Sequence, residues 1–227
     1  MRVSVISGSA LPHARYGPAW NLLNHLNSGC RRIGEERSRM REGTSTTVWP
    51  KPAERLSALH SDEVATVLAF IEIPRGSRNK YEYDESTGRF VLERVLYSSV
   101  HYPTDYGFVT ETLGEDGDPL DVLVFVQEPT FPGCLIPARP LGGLDMHDEK
   151  GSDFKVLAVP VGDPRYAHVR SLADVGDHWL REIETFFATY KQLEPKQTEV
   201  LGWHDLEETL RTVAACRERY RVARGGQ

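Results

Sequence analysis

The stretch that most restricts what this chain can fold into runs from Gly114 to Val126, Gly-Glu-Asp-Gly-Asp-Pro-Leu-Asp-Val-Leu-Val-Phe-Val. Gly114, Gly117 and Pro119 forbid a helix here, and a β-branched apolar run follows Asp121. The segment is therefore a turn that leads into a strand. The turn carries Asp116, Asp118 and Asp121 within six positions. Three carboxylates in one turn repel one another unless cations neutralise them, and carboxylate oxygens suit hard ions such as Mg2+. A site that binds Mg2+ and then a phosphate is the leading reading, and a solvated acidic loop is the plain alternative.

An EF-hand is excluded, because Pro119 and Leu120 occupy the wrong positions and no Glu closes a twelve-residue loop. A haloacid-dehalogenase arrangement puts its acids after a strand, whereas here the strand comes after the acids. A second acid cluster, Asp148, Glu149 and Asp153 with Lys155 behind it, is left unexplained by a merely solvated loop.

A chain of 227 residues fits one domain of ordinary size with room for a tail. Its net charge of −6 argues against non-specific nucleic-acid binding through a basic surface. No apolar run reaches the length of a membrane span. Cys30, Cys134 and Cys216 are odd in number and widely spaced, so they form neither a zinc pattern nor a disulfide framework and point to a reducing compartment.

Residues 1–62 read differently from the rest: Met1 to Gly34 contain no acid, Arg31 to Arg41 mix Arg with Glu, and Gly43 to Pro52 are rich in Thr, Ser and Pro. Three readings stand for this N-terminal extension: an inert mobile segment, an organellar transit peptide, or a docking or oligomerisation segment. Order is expected from near Val64. Val67 to Ile73 reads as a strand carrying one charge, Glu72. Lys80 to Tyr83 and Phe90 to Leu96 read as strands flanking a turn at Glu85 to Gly88, with Glu82 on the first and Arg94 in the second. Glu72, Glu82 and Arg94 recur on consecutive strands, which points to a shared polar cavity.

Tyr97 to Thr110, with Tyr102, Pro103, Tyr106 and Gly107, reads as a bent loop that places phenols. Val122 to Val126, the short segments Cys134 to Ile136 and Leu141 to Leu144, and Lys155 to Val161 read as further strands. Many short strands separated by turn signals argue for a barrel. Only the C-terminal third reads as helical. Asp177 is expected to cap a helix with a stripe from Trp179 to Leu193, in whose last turn Tyr190 and Lys191 sit. Asp205, followed by Glu208, is expected to start a second helix.

Six motifs in order now meet a known pattern. They are Ile71-Glu72-Ile73-Pro74, Lys80-Tyr81-Glu82, Tyr102-Pro103-x-x-Tyr106-Gly107, Asp116-Gly-Asp118-Pro-x-Asp121, Asp148-Glu149 with Asp153-x-Lys155, and Tyr190-Lys191. Together they resemble the soluble family I inorganic pyrophosphatases over about Val67 to Tyr220, with no departure at a position expected to be functional. The extension has no counterpart in the short bacterial members.

The resemblance implies a mainly β fold with flanking α: an OB-like five-stranded closed β-barrel with two C-terminal helices, and a catalytic domain over residues 63–227. It implies hydrolysis of pyrophosphate to two orthophosphates by direct attack of a metal-activated water. The cofactor would be Mg2+, several ions per site, with Mn2+ or Zn2+ as substitutes. Carried over by motif, Asp116, Asp121 and Asp153 resemble the ligands of a tight metal, with Asp121 also serving a second, Asp148 with Asp153 a site for one arriving with substrate, and Glu72 an outer ligand. Asp118 matches the general base. Lys80, Arg94, Tyr106, Tyr190 and Lys191 resemble phosphate contacts, and Glu82, Tyr102, Glu149 and Lys155 supporting members of the cavity. A cytoplasmic homo-oligomer, a hexamer by preference, is the expected setting, or an organelle if residues 1–62 are a transit segment.

Two rivals remain at this point. A phosphate- or nucleotide-binding module on the same barrel would replace metal or base carboxylates, and none is replaced. An OB-type nucleic-acid binder needs a basic, aromatic groove, whereas this one is acidic.

Overall fold

The computed structural model describes residues 66–149, 151–195 and 198–225. The readings of residues 1–62, Cys30 among them, fall outside them. Among the described residues the strands and α-helices are β1 (Val67–Ile73), β2 (Asn79–Asp84), β3 (Arg89–Val95), β4 (Asp105–Val109), β5 (Asp121–Val124), β6 (Leu135–Asp148), β7 (Gly151–Pro160), α1 (Leu172–Val175), α2 (Asp177–Thr189), β8 (Glu199–His204) and α3 (Leu206–Gly225). The sheet runs β1-β4-β5-β7-β6, and β6 returns to pair with β1. That pairing closes the expected ring of five strands. β8 adds to the far side of β6, and β2 and β3 form a separate hairpin.

Alternation along the strands creates two apolar faces. Val67, Ala69 and Ile71 of β1 point into the ring with Val122, Val124, Val156 and Ala158, and Val213 and Cys216 of α3 pack against them. On the opposite face of the same strands, Leu123, Leu144 and Leu157 meet Ile183, Phe186 and Phe187 of α2. Burial of each such large apolar side chain contributes about 1.5–3 kcal/mol. Both helices thus pack against the barrel, on different surfaces.

Several expectations need correction. The two short strands at Cys134 to Ile136 and Leu141 to Leu144 are parts of one long strand, β6. Its prolines do not break it, because Pro140 sits at the register shift before Gly142, and Pro137 keeps its carbonyl in use as the acceptor for Val161 N at 2.9 Å. The loop expected at Tyr97 to Thr110 ends in the strand β4. Gly107 is not a bend there: it lies against β1, where a Cβ would overlap the Phe70 carbonyl oxygen. The strand expected at Val122 to Val126 starts at Asp121 instead.

At α2 the N-cap is Gly176, with φ 92°, and Asp177 is the first helical residue. Leu193 lies beyond that helix and is exposed. At α3 the expected cap holds, since Glu208 N donates to Asp205 Oδ1 at 2.9 Å. Neither β8 nor α1 was anticipated, the first because Gly202 interrupts its pattern, the second because four residues carry no periodic signal.

Candidate active site

The site lies where the α2-covered face of the sheet emerges into solvent. β5 and β7 are parallel, with Asp121 opposite Lys155. Asp153 is two residues before Lys155 and so shares its face. The consequence is a tight cluster: Lys155 Nζ donates to Asp121 Oδ2 at 2.5 Å and to Asp153 Oδ1 at 2.7 Å, and the Tyr106 hydroxyl donates to the same Asp121 oxygen. Phe187 and Tyr106 lie beside the ammonium, with ring centres 5.2 and 5.5 Å from Nζ.

Burial pulls the Lys155 pKa down, but Asp121 and Asp153 outweigh it and hold the ammonium well above its ordinary value. Burial likewise pushes the Asp121 carboxyl up, against the pull of Lys155. The phenols of Tyr106, Tyr102 and Tyr190 are raised chiefly by burial, so they stay neutral donors at ordinary pH.

The acid turn hangs between β4 and β5. Gly114 N donates to Asp118 O at 2.7 Å and Asp118 N to Asp116 Oδ1 at 3.1 Å. A Cβ on Gly114 would come within 2.6 Å of Asp116 Oδ1, so a larger residue there would displace that carboxylate. From the other side, the β6–β7 hairpin presents Asp148 and Glu149, and Lys191 just past α2 donates to them at 3.1 and 3.4 Å. β1 contributes Glu72, which accepts from Tyr83 N at 2.7 Å. Burial raises the Glu72 carboxyl to about 7. The β2–β3 hairpin brings Lys80, paired with Glu82, and Arg94, whose Nε donates to Glu194 at 3.0 Å.

One cavity of about 760 Å³ is lined by the acid turn, Asp148, Glu149, Glu72, Lys80, Arg94, Lys155 and Lys191. Every residue singled out from the sequence lines it except Tyr102, which is buried behind it, with its ring 5.3 Å from that of Tyr106 and 4.8 Å from that of Phe186. Carboxylates in the wall outnumber Lys and Arg by more than two to one, so added cations are electrostatically favoured.

Sequence reasoning missed Glu93 and Glu194, which flank the Arg94 guanidinium, and the group Asp145, His204 and Glu208 on the cavity's far side. Glu93 had a signal in being next to Arg94. Glu194 had none, being a hundred positions away. A bond to Glu208 at 2.9 Å raises the His204 pKa.

The donor set is all oxygen and suits a hard divalent ion. Among the described residues no three such side chains converge to hold an ion unaided. In this arrangement ammonium groups do the neutralising: Lys155 bridges Asp121 and Asp153, and Lys191 engages Asp148.

The family model described as inorganic pyrophosphatase matches residues 69–221. The inorganic pyrophosphatase of Synechocystis sp. is 54% identical over 155 residues, covering 68% of this chain and 92% of that protein. That of Halalkalibacterium halodurans is 52% identical over 159 residues, covering 70% and 98%. The crystal structure of the Thermus thermophilus inorganic pyrophosphatase superposes with a TM-score of 0.69 at 45% identity, over 72% of this chain and 95% of that one. With the ring of five strands, the ordered acids and these matches in agreement, this chain belongs to the inorganic pyrophosphatase family.

Proposed function

We propose that the chain hydrolyses inorganic pyrophosphate to two orthophosphates with Mg2+ as cofactor. The observation that supports this most is the wall of the cavity, where each Lys and Arg is paired with a carboxylate and carboxylates remain in excess. Asp116, Asp121, Asp148, Asp153 and Glu72 would hold Mg2+, with Mn2+ or Zn2+ as substitutes. When bound, such ions neutralise the substrate and acidify water.

The protein's own groups do the rest. Lys80, Arg94 and Lys191 exchange their carboxylate partners for phosphate oxygens, and the Tyr106 and Tyr190 hydroxyls add neutral donors. Glu82, Glu149 and Tyr102 hold these groups in place. Lys155 keeps Asp121 and Asp153 together. Asp118 takes a proton from the attacking water as its oxygen bonds to phosphorus; the bridging P–O bond breaks and the second orthophosphate leaves. No covalent enzyme intermediate is required.

Phosphate release from pyrophosphate should require added Mg2+ and be inhibited by Ca2+, which is larger and takes more ligands. Equal turnover after exhaustive chelation would sink the metal-dependent reading.

We assign catalysis to residues 63–227, with residues 1–62 as an inert extension of a cytoplasmic homo-oligomer, a hexamer by preference. No motif of the cavity lies upstream of Glu72. A chain shortened to begin at Asp62 should keep its turnover and its size by light scattering. Loss of either would instead make the extension a docking segment.

A further inference from the structure

The acid turn is tied to the rest of the molecule at one place that the reaction does not use. Arg219, on α3, reaches it with both terminal guanidinium nitrogens: Nη1 donates to the Leu113 carbonyl at 3.3 Å and Nη2 to Glu115 Oε1 at 2.7 Å. These two acceptors flank Gly114, the residue whose N–H closes the turn on Asp118 O. One turn back on α3, the Cys216 carbonyl accepts from Leu113 N at 3.0 Å, and Arg219 Nη1 lies 3.4 Å from Cys216 Sγ. Cys216 is itself part of the barrel core with Leu120 and Val122. A chain of contacts thus runs from the barrel interior, through Cys216 and Arg219, to both sides of Gly114.

We infer that Arg219 is a positioning residue for the metal-binding turn: its guanidinium clamps Leu113 and Glu115 so that Asp116 and Asp118 are held in register with Asp121. Two features make this more than a surface ion pair. The clamp grips backbone on one side of Gly114 and a carboxylate on the other, which a planar two-pronged donor can do and a point charge cannot. The turn it grips also concentrates Glu115, Asp116 and Asp118, so its free conformations are those that spread the charges apart. As a contributor to stability the pair is weak, because Glu115 is 83% exposed and Arg219 38% exposed. Its effect should appear in the site rather than in the melting temperature.

The inference rests on the metal reading of the site, and the test separates the two. Mg2+ binding to the full chain is measured by calorimetry, together with Tm and with kcat and KM at saturating Mg2+. Arg219→Ala should weaken Mg2+ binding about tenfold, the low end of what loss of an outer-shell partner causes, since Arg219 acts through backbone. Tm should barely move, and kcat should recover at high Mg2+. Arg219→Lys should recover only part of the affinity. In Glu115→Gln, which loses the carboxylate but keeps the Leu113 contact, the loss should be smaller than in Arg219→Ala. Binding within twofold of the parent in Arg219→Ala overturns the inference alone. So does a large fall in Tm that accompanies the loss of affinity, or full recovery by Arg219→Lys. A parent chain that binds no Mg2+ overturns the metal reading and the inference together.

Discussion

Asp121→Ala should be the most damaging single change among the acids, with Mg2+ binding weakened by about 10²-fold or more and turnover at ordinary Mg2+ lost. Asp121 is the point where three interactions meet. It faces Lys155 across the parallel β5–β7 pair, it accepts from the Tyr106 hydroxyl, and it lies on the face that also carries Asp153. Alanine there removes a carboxylate assigned to two ions and leaves the Lys155 ammonium, 2% exposed, with Asp153 as its remaining carboxylate partner. Breaking a buried pair in this way costs about 3 kcal/mol, the lower end of the usual range because Asp153 still compensates. Both losses are measurable, by Mg2+ calorimetry with phosphate release and by thermal melting. Near-normal Mg2+ affinity and rate would remove Asp121 from the centre of the site.

Asp118→Asn should lower kcat by roughly 10²–10⁴, the range that loss of a general base produces. The side chain keeps its size and hydrogen-bonding capacity but loses its basicity. The turn itself should survive, because its closing bond uses the Asp118 carbonyl, accepting from Gly114 N at 2.7 Å, rather than the carboxylate. Mg2+ and substrate affinity should therefore change far less than in Asp121→Ala. The acid limb of the pH–rate profile should change as well, since the proton acceptor that defines it is gone. A variant that loses Mg2+ binding and regains its rate at high Mg2+ would make Asp118 a ligand, and the general-base assignment would fall.

Much of the site was legible in the chain because its residues come in short local groups. Asp116, Asp118 and Asp121 sit on one turn, Asp148 and Glu149 on one hairpin, and Tyr190 and Lys191 at one helix end. Local spacing with Gly and Pro suffices to expose such groups. The Arg94 partners show where this stops. Glu93 is its neighbour in sequence, but Glu194 meets the guanidinium only because the hairpin folds toward the chain beyond α2. The misreading of β4 has a related cause. Gly107 looks like a bend in one dimension and is a close backbone crossing in three.

By itself the sequence determined the element types over most of the barrel, the two C-terminal helices and the locally grouped acids of the cavity, because periodicity, turn residues and carboxylate clustering are local properties of a chain. Tertiary structure alone decided which strands close the ring, that β6 runs through its prolines, and that Lys155 stands between Asp121 and Asp153. Those outcomes depend on register between strands distant in sequence. A shift of one residue between β5 and β7 would send Lys155 to the opposite face from Asp121, and no local pattern carries that information.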